Sequence, residues 1–285
     1  MDIYSLLSRL PIQRFKEPPP VVAVLRLSGV IGGLGPLRRG LNAATLGPLV
    51  ERAFKAPRLK AVALAINSPG GSPVQSALIA ARIRALAEEK QVPVVAFAED
   101  VAASGGYWLA CAADEIYADE SSIIGSIGVI SAGFGFPELL AKMGVERRVH
   151  AAGDRKGMLD PFRAEDPEDV AHLESIQADI HESFRDYVKR RRGARLKAED
   201  AELFDGAFWS GRRARELGLV DGLGDLRGIM RERFGEKVRF RSIEGPRRHW
   251  LARLGLGAEP PDLAASAASL IAAAEERVLW ARYGL

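Results

Sequence analysis

The chain has 285 residues, of which 47% are hydrophobic and 27% are charged, so it can bury one substantial core as ordinary globular proteins do. Its net charge of +3 and the lack of a basic motif interleaved with aromatic residues argue against nucleic acid as a partner. The single cysteine, Cys111, excludes an internal disulfide bond, and its position among alanines predicts a small core residue.

Residues 1–20 form an N-terminal extension that mixes apolar with basic side chains and ends in three prolines, a stiff spacer. The extension lacks the ~20 consecutive apolar residues of a membrane-spanning helix, and it lacks the apolar core of a signal peptide. We therefore expect a cytoplasmic location. An amphipathic extension that makes peripheral contact with the inner membrane is the alternative.

The next segments alternate between strand and helix patterns. A first strand at Val21–Leu27 leads into a glycine-rich turn whose spacing does not match a phosphate-binding loop. A helix is predicted at Leu46–Phe54, and a strand buried on both faces is predicted at Val62–Ile66. A turn containing Gly70-Gly71 then precedes a helix at about residues 74–89. This alternation predicts a layered α/β fold.

Ser104 follows the next predicted strand, Pro93–Ala98, and stands at the start of a helix before Gly105-Gly106. A serine at a helix start lies beside free backbone N–H groups, which can stabilise a developing oxyanion. The glycines allow a substrate backbone to approach closely. In the alternative interpretation, Ser104 is only the N-cap of the helix and the glycines serve packing.

The turns at Gly70-Gly71 and at Ser104 are expected at the same edge of the sheet, where ligands of parallel sheets normally bind. A backbone N–H of the glycine pair would then face the carbonyl that Ser104 attacks. The alternative is an ordinary strand-to-helix turn, since proline and glycine are common there. The two turns together favour an oxyanion-hole site.

The four histidines offer Ser104 no well-placed partner. His172 and His181 are nine residues apart on a predicted helix, so they point in roughly opposite directions and cannot form a metal pair. We interpret all four histidines, including His150 and His249, as structural or surface residues. A Ser-His-Asp triad is the alternative. No metal-binding motif of histidine, glutamate or cysteine is present.

A helix predicted from about Asp166 ends in the basic run Lys189–Arg192 and Gly193, which is typical of a solvated helix end. Contact with anionic lipid is the alternative for this run. A final helix with an apolar face over residues 263–278 is expected to pack on the core or on a neighbouring subunit. Trp280 and Tyr283 would also suit a membrane interface.

Five segments follow one another in an order that is specific in combination. They are Asn67-Ser-Pro-Gly-Gly71, Ala103-Ser-Gly-Gly-Tyr107, Ala112-Ala-Asp-Glu-Ile116, Ile124-Gly-Ser-Ile-Gly-Val129 and Phe208–Gly222. Over roughly residues 21–240 the chain resembles the S49 peptidases, the protease IV or signal peptide peptidase A group. The resemblance implies a crotonase/Clp-protease-like α/β fold of repeated ββα units with a helical C-terminal extension. It implies three parts: the extension 1–20, a serine peptidase domain 21–240 and a C-terminal extension 241–285.

The resemblance also implies the site residues. Ser104 matches the nucleophile, Lys156 the general base and Ser126 the residue that orients the lysine. An unperturbed lysine titrates near ~10.4, so the base must be held neutral by its surroundings. Without the resemblance, Lys156 reads as a surface lysine in a glycine-flanked loop. The oxyanion hole would use the N–H groups of Gly71 and Gly105, and the implied substrate-binding residues are Gly70, Gly125 and Ile127.

The expected function is that of a serine endopeptidase with a Ser-Lys dyad, acting on hydrophobic peptides such as signal-peptide remnants. No cofactor or metal is expected. The resemblance implies a ring-like homo-oligomer in which the serine and lysine of one site come from neighbouring subunits. The alternatives are a Clp-like Ser-His-Asp peptidase, a crotonase-type acyl-CoA enzyme, and an inactive scaffold on the same fold.

Overall fold

Short strands alternate with helices and assemble into one mixed sheet. The computed structural model describes residues 18–33, 40–244, 273–274 and 276–285. Nearly all of the predicted N-terminal extension, and residues 245–272 of the C-terminal one, lie outside the described residues. The division into three parts stays a prediction.

Eight strands and eight α-helices are described, together with one 3₁₀ turn at Gly193–Arg195. The strands are β1 (Val21–Ser28), β2 (Leu59–Ser68), β3 (Val94–Ala103), β4 (Glu115–Ala118), β5 (Ile123–Gly125), β6 (Phe208–Ser210), β7 (Gly222–Leu223) and β8 (Arg239–Ile243). The helices are α1 (Ala43–Phe54), α2 (Pro73–Lys90), α3 (Gly105–Ala110), α4 (Pro137–Lys142), α5 (Pro167–Arg192), α6 (Asp200–Leu203), α7 (Gly211–Glu216) and α8 (Leu226–Phe234). Residues 276–281 are also helical.

The strands pair in the order β6-β5-β3-β2-β1-β8, with β4 and β7 joined to the sheet through β3. Every pair is parallel except β5 with β6. β3 has two neighbours on one side, because residues 95–98 pair with β4 and residues 101–103 pair with β5. This division carries β3 beyond the predicted Ala98 to Ala103, directly before Ser104.

Successive side chains of a strand point to opposite faces of the sheet, so each face packs against a different set of helices. Leu25, Leu64 and Ala96 belong to the main core beneath α1, α2 and α3. On the opposite face, Val22, Ala63 and Val95 pack with Met230 of α8. Helices on both faces of a largely parallel sheet give the predicted layered α/β fold.

Helix α5 confirms the bounds predicted from its caps. Asp166 accepts a hydrogen bond from the Glu168 N–H, and Gly193 ends the helix with a φ of +55°. The prediction that its basic end is solvated is wrong for Arg192, whose side chain is only 2% exposed. Arg192 donates to the Asp221 carboxylate and to the Gly218 carbonyl oxygen. This cation therefore joins the C-terminal end of α5 to the segment that leads into β7.

In the ranges that the structure describes, no helix combines the length and apolar character needed to cross a membrane. The C-terminal residues return to the sheet, where Trp280 and Tyr283 pack against Val101, Ala103 and Ile123. The last described residues therefore cover the end of β3 that leads into Ser104.

Candidate active site

Ser104 occupies a sharp turn between β3 and α3. Its φ of +52° and ψ of −121° are rare for a residue with a side chain and cost on the order of 1–3 kcal/mol. The turn is held by its neighbour strand, because the Ser104 N–H donates to the Gly125 carbonyl oxygen at 2.7 Å. A strained backbone that the surrounding structure enforces is typical of functional sites.

The Ser104 side chain does not cap helix α3, although the residue stands at the N-cap position. The alternative interpretation of Ser104 as a capping serine is therefore wrong. Ser104 is half-buried, and its hydroxyl forms no hydrogen bond within the described part of the chain. The hydroxyl group is thus available for chemistry.

Gly70 and Gly71 form the wall opposite Ser104. Their φ values of +104° and +138° lie in the region that favours glycine. A Cβ atom on Gly71 would lie 2.0 Å from the Ile31 carbonyl oxygen. The turn is fixed from outside by two backbone hydrogen bonds, from the Ile31 N–H to the Gly70 oxygen and from the Ser72 N–H to the Ile31 oxygen.

Two backbone N–H groups are free beside Ser104. Those of Gly71 and Gly105 form no hydrogen bond within the described residues. The two groups are neighbours, since the Gly71 nitrogen lies 3.4 Å from the position that a Cβ atom on Gly105 would take. Gly105 is buried, where an N–H group is nearly always paired, whereas Gly71 is exposed at the mouth of the turn. Two free donors next to a serine hydroxyl suit an oxyanion.

Gly125 ends β5, Ser126 follows it, and both lie against the same turn. Gly125 has a φ of +109°, and a Cβ atom there would lie 2.7 Å from the Trp209 ring. Ser126 is buried with a φ of +52°, and its N–H donates to the Ala207 carbonyl oxygen at 2.7 Å. The structure therefore places the predicted lysine-orienting serine next to the residue that binds the Ser104 N–H. The Ile127 side chain is fully buried in the main core.

Lys156 stands apart from this group. Its side chain is exposed, and it forms no hydrogen bond or ion pair within the described residues. Its backbone N–H donates to the Gly153 carbonyl oxygen, which closes a turn in the stretch between β5 and α5. In this single chain no hydrogen bond joins Lys156 to Ser104 or Ser126.

None of the three described histidines hydrogen-bonds to Ser104. His150 and His172 are exposed, and the His181 Nε2 atom lies 3.2 Å from the Ile127 carbonyl oxygen. His249 lies outside the described residues. The described residues also contain no cluster of His, Cys, Asp and Glu that could hold a metal ion.

Sequence reasoning missed two residues at this edge. His181 contacts Ile127, one residue beyond Ser126. The Tyr283 hydroxyl lies 3.3 Å from the Ser126 Oγ atom and 3.5 Å from the Pro69 carbonyl oxygen. Neither residue belongs to a recognisable motif, and helical spacing gave no signal for either contact.

Burial perturbs two ionisable groups, Tyr107 within α3 and Cys111 directly after it. Burial raises the pKa of the Cys111 thiol to about 12, although Arg192 partly opposes the shift. Burial also raises the pKa of Tyr107 well above its ordinary value. The Tyr107 hydroxyl donates to the Leu219 carbonyl oxygen at 2.8 Å. Both groups stay neutral near neutral pH and hold α3 in place.

Comparison with known proteins gives the family. The model of "Peptidase family S49" matches residues 86–235, which include Ser104, Ser126 and Lys156. The chain belongs to peptidase family S49. Among curated relatives, a "Serine protease SPPA, chloroplastic" of Arabidopsis thaliana is 33% identical over 210 residues, covering 72% of this chain and 31% of that protein.

A protein of Brucella abortus named "Na(+)/H(+) antiporter NhaA" is 50% identical over 291 residues, covering 99% of this S49 chain. The chain spans only 39% of that relative's length. A solved structure of a membrane-bound stomatin-specific protease with a substrate peptide matches with a TM-score of 0.50 at 15% identity, covering 84% of this chain and 99% of that one. This likeness supports the S49 fold.

Proposed function

We propose that the protein is a serine endopeptidase that cleaves hydrophobic peptide segments with a Ser-Lys dyad. One observation carries the proposal: the unbonded Ser104 hydroxyl, on a strained turn, lies beside the free N–H groups of Gly71 and Gly105. Acyl transfer needs this combination of a nucleophile and two preorganised donors. Membership of family S49 supports the assignment.

In the proposed reaction, the Ser104 Oγ atom attacks the peptide carbonyl carbon while a neutral lysine amine takes the hydroxyl proton. The N–H groups of Gly71 and Gly105 bind the resulting oxyanion. Collapse breaks the carbon–nitrogen bond, and the ammonium group returns the proton to the leaving amine. Water then attacks the acyl ester by the same proton transfer and releases the carboxylic acid and Ser104.

We assign the amine to Lys156 of a second copy of the chain. The stretch that bears Lys156 leaves many large apolar side chains uncovered, and monomers rarely expose contiguous apolar patches of this kind. Helix α4, within this stretch, has no buried residue. The uncovered side chains are Ile130, Phe134, Leu139, Met143, Val145 and Val149. A neighbouring subunit would cover them and complete the dyad.

The direct test measures cleavage of a fluorogenic apolar peptide by the full chain. We expect the variants Ser104→Ala and Lys156→Ala to lose about 10³-fold or more in kcat/KM. The controls are Ser121→Ala, which changes an exposed serine, and Arg155→Ala, which changes the exposed cation directly before Lys156; both should keep the rate. A serine-reactive phosphonate followed by mass spectrometry should label Ser104. Full activity of Ser104→Ala would refute the peptidase assignment.

The shared site is tested by complementation. Ser104→Ala and Lys156→Ala chains are unfolded together and refolded as mixed oligomers. Part of the activity should return, because some interfaces then combine one intact serine with one intact lysine. Mixed oligomers that form but stay inactive would place both residues within one subunit.

A further inference from the structure

Tyr283 places a hydroxyl group on the rim of the candidate active site. The hydroxyl lies 3.3 Å from the Ser126 Oγ atom and 3.5 Å from the Pro69 carbonyl oxygen. Pro69 directly precedes the Gly70-Gly71 turn, and Ser126 directly follows the residue that binds the Ser104 N–H. The tyrosine therefore bridges both turns that flank the nucleophile.

The Tyr283 ring is held firmly enough to fix this hydroxyl. Tyr283 is buried and packs against Val101 and Ala103 of β3. Its ring meets the Phe208 ring edge to face, with the centroids 5.2 Å apart. Aromatic pairs with this geometry are favourable beyond the area that they bury. A side chain with few rotatable bonds, packed on three sides, holds its polar end at one position.

Hydrogen-bond capacity decides what this position does to Ser126. A tyrosine hydroxyl has one proton but faces two oxygen atoms, so it cannot donate fully to both. Both contacts are used when Tyr283 donates to the Pro69 oxygen and Ser126 donates to the tyrosine oxygen. The proton of Ser126 then points toward Tyr283, and the lone pairs of the Ser126 oxygen face the candidate active site.

We propose that Tyr283 is a positioning residue that makes Ser126 a hydrogen-bond acceptor for the catalytic lysine. Ser126 then accepts an N–H of the amine, and the lone pair of the amine is left facing Ser104. Without the tyrosine oxygen, the Ser126 hydroxyl donates its proton to that lone pair and blocks it. The inference rests on the proposed function, because it assigns Ser126 and the lysine their roles in peptide cleavage.

The test compares Tyr283→Phe with the wild-type full chain. The variant keeps the ring and loses the hydroxyl, so we expect kcat to fall about tenfold while KM stays within about twofold. The melting temperature should fall by no more than about 4 °C, since only the hydrogen bonds of one hydroxyl group are lost. The matched control is Tyr187→Phe, because the Tyr187 hydroxyl is buried without a hydrogen-bond partner in the described structure, and its loss should leave kcat unchanged.

A double-mutant cycle separates positioning from packing. If Tyr283 acts through Ser126, Tyr283→Phe has no further effect on kcat in a Ser126→Ala background. Equal fold losses in both backgrounds, or unchanged kcat in Tyr283→Phe, would overturn the inference. Faster turnover by Tyr283→Phe would also overturn it, since the tyrosine would then obstruct the site. The proposed function fails separately, if Ser104→Ala or Lys156→Ala retains full activity.

Discussion

Gly70 and Ser104 touch so closely that a Cβ atom added to Gly70 would lie 2.7 Å from the Ser104 Cβ atom. The same added atom would lie 2.9 Å from the Gly105 nitrogen, one of the two free donors. The position of the Ser104 side chain therefore depends on the conformation of the glycine turn. Any side chain at position 70 must displace the serine or its oxyanion donor.

The variant Gly70→Ala is expected to lose about 100-fold or more in kcat/KM, because the methyl group moves Ser104 away from the substrate carbonyl. Gly29→Ala is a matched control. Gly29 has nearly the same φ, +106° against +104°, but open space where its Cβ atom would stand. Both variants place a side chain at nearly the same positive φ, so peptide cleavage assays on the two separate the effect of the clash from that of the φ angle. Equal losses of activity would show that the contact with Ser104 is irrelevant.

The ion pair of Arg192 with Asp221 is expected to make a large contribution to the free energy of unfolding, because it joins α5 to the segment before β7. Arg192→Met leaves the largely buried Asp221 carboxylate with only the half-exposed Arg195, at 3.5 Å, and removes the donors to the Gly218 carbonyl oxygen, so we expect a loss of about 3 kcal/mol. Arg190→Met, two residues earlier on the exposed face of α5, is expected to change the unfolding free energy by less than about 0.5 kcal/mol. Urea unfolding measures both values. A loss below 1 kcal/mol for Arg192→Met, on the order of a surface change, would contradict the structural role.

Cys111 is expected to resist alkylation in the folded protein. The thiolate is the reactive form, and burial raises the pKa of this thiol to about 12, so the group stays protonated at about pH 8. Iodoacetamide should label Cys111 rapidly in urea and at least about 100-fold more slowly in buffer. Mass spectrometry at timed intervals gives the two rates. Comparable rates would mean that α3 opens readily.

The kcat/KM of the wild-type protein is expected to rise with pH between about pH 6 and about pH 9. The proposed base is an amine, and only its uncharged form accepts the Ser104 proton, so deprotonation of the free enzyme increases the rate. The profile is measured with a peptide that has no ionisable side chain. Tyr187→Phe should give the same profile as the wild type. A rate that falls as the pH rises over this range would rule out a neutral amine as the base.

The first three strands, the helices that follow them and helix α5 could be predicted from the sequence because their signals are local, whereas the short elements β4 to β8, α4 and α6 to α8 were not predicted. The Asp166 and Gly193 caps fixed the bounds of α5, since capping depends on residues within one helical turn. The glycines at positions 70 and 71 likewise predicted a turn, because a positive φ is an intrinsic preference of the residue. Ser104 was identified for the same reason, from its place between a strand and a helix.

Contacts between distant residues depended on the tertiary structure. Tyr283 meets Ser126 across 157 residues of chain, and Arg192 meets Asp221 across 29. The basic run of α5 illustrates the limit, since nothing local distinguishes the buried Arg192 from the exposed Arg190. Which of the two arginines is buried depends on the angle at which the whole helix packs on the sheet. Turn and cap preferences act over a few residues, whereas burial is decided by the packing of the entire chain.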